Sequence, residues 1–110
     1  MEISIKDHKN IKIITISGNL DGSTSSLAQD KITPYIKEEC CLIFDMNKCQ
    51  MISSAGLRIL LMFAKQIKTK SGRAAIAGLN EEVKDVMEMT GFDNIFKDYQ
   101  TIEKAIDSFL

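Results

Sequence analysis

Two adjacent serines, Ser53 and Ser54, stand where chemistry is most readily built, because a helical pattern follows them directly. Leu57, Leu60, Leu61, Ala64 and Ile67 recur at three- and four-residue steps, which is the spacing of one helix face. A serine at the start of a helix accepts a hydrogen bond from an unpaired backbone N–H, and capping is its ordinary role. The same free donors and the helix dipole favour a negative group. A phosphate on either hydroxyl is therefore electrostatically at home there.

Other candidate chemistry is thinner. His8 and Ser54 could be paired as base and nucleophile, but a triad also needs an orienting acid and an oxyanion site, and no G-x-S-x-G elbow is present. His8 reads as a surface turn residue. Asp45 ends an apolar run, yet the acidic pair that a phosphoaspartate site needs for Mg²⁺ is missing. Gly72, Gly78 and Gly91 lack dinucleotide-fingerprint spacing and read as turn and cap residues. The cysteines, Cys40, Cys41 and Cys49, form neither a disulfide set nor a metal-ligand pattern. Cys40 and Cys41 fit as small apolar residues opening a buried strand, whereas Cys49 is expected in a loop, with an exposed thiol and a minor redox option. The residues thus imply no catalytic group, no metal and no cofactor.

The elements that must position the serines follow from periodicity. Cys41-Leu42-Ile43-Phe44 is a short continuous apolar run, as in a strand covered on both faces. Glu2 to Lys6 alternates, Ile11 to Ile16 is rich in β-branched residues, and the two read as a hairpin around His8-Lys9-Asn10. Gly18-Asn19-Leu20-Asp21-Gly22 breaks that pattern. Ser23, Thr24 and Ser25 offer caps for a helix turning Leu27, Ala28, Ile32, Tyr35 and Ile36 to the core, with a kink or boundary at Pro34. Ala74 to Ala77 predicts an interior strand. Asn80 then starts a helix with Val83, Val86 and Met87 inward and Gly91 past its end. Ile95-Phe96 opens a last strand, and Thr101 caps a helix with Ile102, Ala105, Ile106 and Phe109 on one face. The order is β-β-α-β-α-β-α-β-α: an α/β fold with a mixed sheet, an N-terminal hairpin followed by parallel crossovers, and four helices packed on it.

Length and composition set the remaining limits. The 110 residues make a single domain spanning 1–110, with 45% hydrophobic and 26% charged residues. A net charge of −1 gives no electrostatic support for nucleic-acid binding, and Lys65, Lys68, Lys70 and Arg73 read as a solvated face. No apolar run is long enough to span a membrane, and the chain begins with strand-like alternation instead of a signal segment, so a cytoplasmic location is expected.

The stretch from Asp45 to Leu57, DMNKCQMISSAGL, resembles the signature of the STAS domain family of bacterial anti-sigma factor antagonists, D-x-S-x-x-x-x-I-D-S-[SAT]-G-L. Gly18-Asn19-Leu20-Asp21 is similar to the family's G-E-L-D, and Met89-Thr90-Gly91-Phe92 to its M-[ST]-G-[LF]; the resemblance covers nearly the whole chain. Ser53 stands where the family has aspartate, Asn47 where it has serine, and Asn19 where it has glutamate.

The resemblance implies a STAS-like fold and a non-enzymatic, phosphorylation-controlled binding switch. Its phosphoacceptor falls on Ser54, two places before Gly56. The unphosphorylated chain would bind an anti-sigma factor serine kinase and so release a sigma factor. A metal-dependent serine phosphatase would reverse the modification. The expected contact surface comprises Ser53, Ser54, Gly56, Arg58, Ile59 and Met62, with the early loop around Asp21. Ile59 and Met62 are placed by helical spacing away from the Leu60 stripe. The alternative is a STAS accessory subunit of a lipid or anion transporter, acting as an interaction domain without a phosphorylation cycle.

Overall fold

In the computed structural model, which describes residues 1–89 and 96–110, a mixed sheet carries helices on both faces. Its strands are β1 (Glu2–His8), β2 (Ile11–Leu20), β3 (Cys41–Asp45), β4 (Cys49–Ile52), β5 (Arg73–Ala77) and β6 (Lys97–Tyr99). The helices are α1 (Ser25–Ile32), α2 (Ser54–Thr69), α3 (Glu81–Met89) and α4 (Ile102–Phe109). The order along the sheet is β1-β2-β3-β5-β6, with β4 paired to the far end of β2. β1 and β2 are antiparallel and every other pairing is parallel. The hairpin and the parallel crossovers are as the sequence predicts.

β3 lies centrally and is buried from end to end, which its unbroken apolar run requires. Phe44 stacks on Phe63 of α2 with ring centroids 6.0 Å apart and meets Phe96 edge-on at 5.5 Å. Around these rings the larger core joins β2 and β3 to α1, α2 and α3. A smaller core on the opposite face packs Ile11, Ile43, Ala75 and Ala77 against Ala105 of α4. The small alanines of β5 let that helix approach the sheet closely.

Several local expectations change. β2 does not stop at Gly18 but continues to Leu20, because Gly18 adopts φ +98° and the register shifts there, leaving Asn19 and Leu20 to pair with Met51 and Ile52 of β4. β4 itself was not foreseen: Cys49 lies in this strand, 2% exposed, instead of in an open loop. Burial pushes its thiol pKa up, and its Sγ contacts the Met51 carbonyl, so the exposed loop thiol on which the minor redox option rested is not found. Leu27 was expected in the core and is 40% exposed, while Ala28, Ile32 and Ile36 are buried. α1 ends at Ile32 and passes into a 3-10 turn, Thr33–Tyr35, as Pro34 dictates. The expected Gly91 cap, the Thr90-Gly91-Phe92 segment and Ile95 lie outside the described residues. Among the described residues no helix is long and apolar enough to cross a membrane.

Candidate functional site

The two serines divide the work at the start of α2. Ser53 is the N-cap: its backbone is extended and its hydroxyl accepts from the Gly56 N–H at 3.3 Å. Ser54 is the first helical residue, exposed, and its hydroxyl makes no hydrogen bond among the described residues. Spacing alone left both roles open to either serine; the backbone angles separate them.

Gly56 explains how the helix start is seated. It is buried, and a β-carbon there would stand 2.3 Å from the carbonyl oxygen of Leu20. That same carbonyl accepts from the Ser53 N–H at 3.0 Å. The first turn of α2 therefore rests directly on the backbone at the end of β2, which only a residue without a side chain permits.

The early loop is tied to the same place. A β-carbon on Gly22 would lie 3.9 Å from that of Ala55, so the Asp21-Gly22 segment borders the serine turn. Asp21 holds its own loop: its Oδ1 accepts from the Ser23 hydroxyl at 2.7 Å, the Ser23 N–H at 2.9 Å and the Thr24 N–H at 3.2 Å. The Ser23 hydroxyl bond, foremost, holds the Asp21 carboxyl below its ordinary value against the opposing effect of partial burial. Thr24 occupies the N-cap of α1 without a side-chain capping bond; its hydroxyl accepts from the Asp21 N–H and donates to the Asn19 carbonyl, both at 2.9 Å. Thr24 thus holds the expected N-cap position, but its hydroxyl is spent on the Asp21 loop and makes no bond to the helix.

At the end of β3, beside Thr15 of β2, Asp45 is 8% exposed and accepts from the Thr15 hydroxyl and from the backbone and side-chain nitrogens of Asn47. The Asn80 side chain accepts from the Val83 N–H at 2.8 Å and donates to the Gln50 carbonyl at 3.2 Å, fastening the start of α3 to β4. These bonds give the turn between β3 and α2 fixed supports.

Along α2 the buried residues are Gly56, Leu60, Phe63, Ala64 and Ile67, with Leu57 and Leu61 half-buried at the flanks. Arg58 is exposed one turn beyond Ser54. Ile59 and Met62 are half-buried and pack on the rim of the larger core, so they are less free than helical spacing suggested. At about 100° per residue Ile59 lies well round from Arg58, whereas Met62 falls closer to it and meets Gln29 of α1. Arg58 and Met62 line a groove of about 640 Å³ between α2 and the 3-10 turn. Met51, 44% exposed just before the serines, is a surface residue that sequence reasoning missed; its place at the end of an unforeseen strand gave no periodic signal.

His8, read from the sequence as a surface turn residue, is exposed and lies far from the serines. His8 pairs with Ile11 at the start of β2, and Ser53 bonds Leu20 at its end, so roughly 30 Å of strand separates them. Among the described residues no group of three His, Cys, Asp or Glu side chains is arranged to hold a metal ion.

Comparison with known proteins agrees with this geometry. The chain is 26% identical over 108 residues to an anti-sigma F factor antagonist of Paenibacillus polymyxa, covering 96% of this chain and 92% of that one. A crystal structure of an anti-sigma factor antagonist from Mycobacterium paratuberculosis superposes with a TM-score of 0.88 at 20% identity, covering 97% and 92% of the two chains. SpoIIAA of Bacillus in its phosphorylated form gives 0.75 at 19% identity, covering 99% and 100%. The model of the STAS domain matches residues 2–105, and with the strand order, the seated glycine and the serine turn in place, the chain belongs to the STAS domain family.

Proposed function

We propose that the chain is an anti-sigma factor antagonist whose binding is switched by phosphate at Ser54. The observation that carries this reading is the exposed Ser54 hydroxyl, free of hydrogen bonds within the described residues, beside a Ser53 already engaged as the cap. Relatives named as anti-sigma factor antagonists over nearly their whole length, and a neighbour solved in a phosphorylated form, support it. The chain is substrate and binding module, not enzyme.

Unmodified, the surface around Ser53, Ser54, Gly56, Arg58, Ile59 and Met62, together with Asp21, docks an anti-sigma factor that is itself a serine kinase. Phosphorylation adds about −1.5 to −2 charge and strongly hydrated oxygens in the middle of that contact. Burying them without a cationic partner costs more than a typical contact gains, and a tenfold loss of affinity needs only about 1.4 kcal/mol. A serine phosphatase of the metal-dependent class restores binding. This cycle belongs in the cytoplasm.

Affinity capture with wild-type and Ser54→Asp bait tests the reading. A kinase-type ATPase retained by the wild type and lost by Ser54→Asp is the expected result, with mass spectrometry locating phosphate on Ser54 after reaction with that kinase. Transporter subunits retained equally by both baits would overturn it in favour of an accessory role without phosphorylation.

A further inference from the structure

We propose that β1 pairs edge-to-edge with β1 of a second copy of this chain, antiparallel and centred on Ser4. β1 is an end strand of the sheet, bonded on one side to β2. An open strand edge is a template for another strand, and sheet edges are normally guarded by charge. Here the charges are arranged to attract a copy. In Glu2-Ile3-Ser4-Ile5-Lys6, the antiparallel register about Ser4 sets Glu2 opposite the partner copy's Lys6, and Ile3 opposite its Ile5. The two-fold axis repeats each pair, as an isologous contact must.

Side-chain direction agrees. Ile3 and Ile5 are half-buried and pack on the rim of the larger core, so across the two-fold they meet as one apolar seam. Glu2, Ser4 and Lys6 are exposed on the other face, and neither Glu2 nor Lys6 has an ion pair among the described residues. Asp7 is already paired with Lys12 of β2 and does not compete. Other alignments are disfavoured. A parallel in-register pair sets Glu2 against Glu2 and Lys6 against Lys6, and an antiparallel slip by two residues loses both ion pairs.

Sedimentation equilibrium of the full chain at concentrations up to about 1 mM, where so small an interface should be populated, should show a monomer–dimer equilibrium. Glu2→Lys and Lys6→Glu each place like charges opposite one another and should each weaken dimerisation at least tenfold, about 1.4 kcal/mol. Mixing the two single variants should restore association, as heterodimers, and the double variant Glu2→Lys/Lys6→Glu should dimerise like the parent. Circular dichroism of each variant verifies its fold, and the mixing experiment reads the pairing even if one variant is less stable. A parent that stays monomeric throughout, single variants that dimerise undiminished, or a mixture that fails to associate would each overturn the proposal.

Discussion

Gly56 is where one atom decides the most. A β-carbon placed 2.3 Å from the Leu20 carbonyl forces α2 off the end of β2, so Gly56→Ala should destabilise by about 1–3 kcal/mol in urea unfolding. The serines should separate in the same assay. Ser53→Ala removes the cap and should cost about 0.5–2 kcal/mol. Ser54→Ala removes an unbonded, exposed hydroxyl and should stay within about 0.5 kcal/mol of the parent while abolishing phosphate incorporation. Phosphate found on Ser53 alone would reverse this assignment. At Asp21 the sign follows from its hydrogen bonds: the folded carboxyl titrates below its ordinary 3.8, so its hold on the loop is complete above that pH and is lost as pH falls through the lower, folded value. Amide NMR shifts of Ser23 and Thr24 should titrate with a midpoint under 3.8, and Asp21→Asn should remove that transition. A midpoint at or above 3.8 would contradict the bonding described.

At the scale of elements, α2 is defined by which of its leucines are covered. Leu60 is fully buried, and Leu60→Ala should cost about 2–5 kcal/mol; half-buried Leu61 should cost less, about 1–2 kcal/mol. Equal losses at the two positions would mean the helix is rotated from its described face. The same helix should accept a phosphate without harm. Its first turn has free N–H groups, it contains no Asp or Glu, and Arg58 lies four residues beyond Ser54. Phosphorylated protein should therefore melt no lower than the unmodified chain by calorimetry, leaving binding as the property that changes.

For the molecule as a whole, the two faces of the sheet are unequal. α2 is anchored by Leu60, Phe63, Ala64 and Ile67 in the larger core, while α4 buries only Ala105 fully and leans on partly exposed Ile102, Ile106 and Phe109. Arg73 of β5 adds an exposed tie, stacking on Phe109 and donating to the Ser108 carbonyl at 3.1 Å. Regions with less buried apolar contact open at lower free energy. Hydrogen exchange should therefore release the α4 amides well before those of α2. The reverse order would show that the smaller core is the tighter one.

Much of this arrangement is written in local pattern. The apolar run of β3, the 3.6-residue stripes of α2 and α4, the stop at Pro34 and the caps Asn80 and Thr101 each rest on interactions within a few residues, so the sequence by itself determined them. The S-S-A-G-L stretch likewise marked the helix start and the family. Tertiary structure decided what depends on distant partners. Gly18 looks like a strand end until β4 gives the rest of β2 a second neighbour. Cys49 looks like a loop thiol until that pairing buries it, and Leu27 looks like core until α1 is set at its angle on the sheet. The division between Ser53 and Ser54 is of the same kind. Two like residues side by side are indistinguishable by composition or period, and only the seating of Gly56 on the Leu20 carbonyl fixes the helix start by one residue, engaging one hydroxyl and leaving the other free.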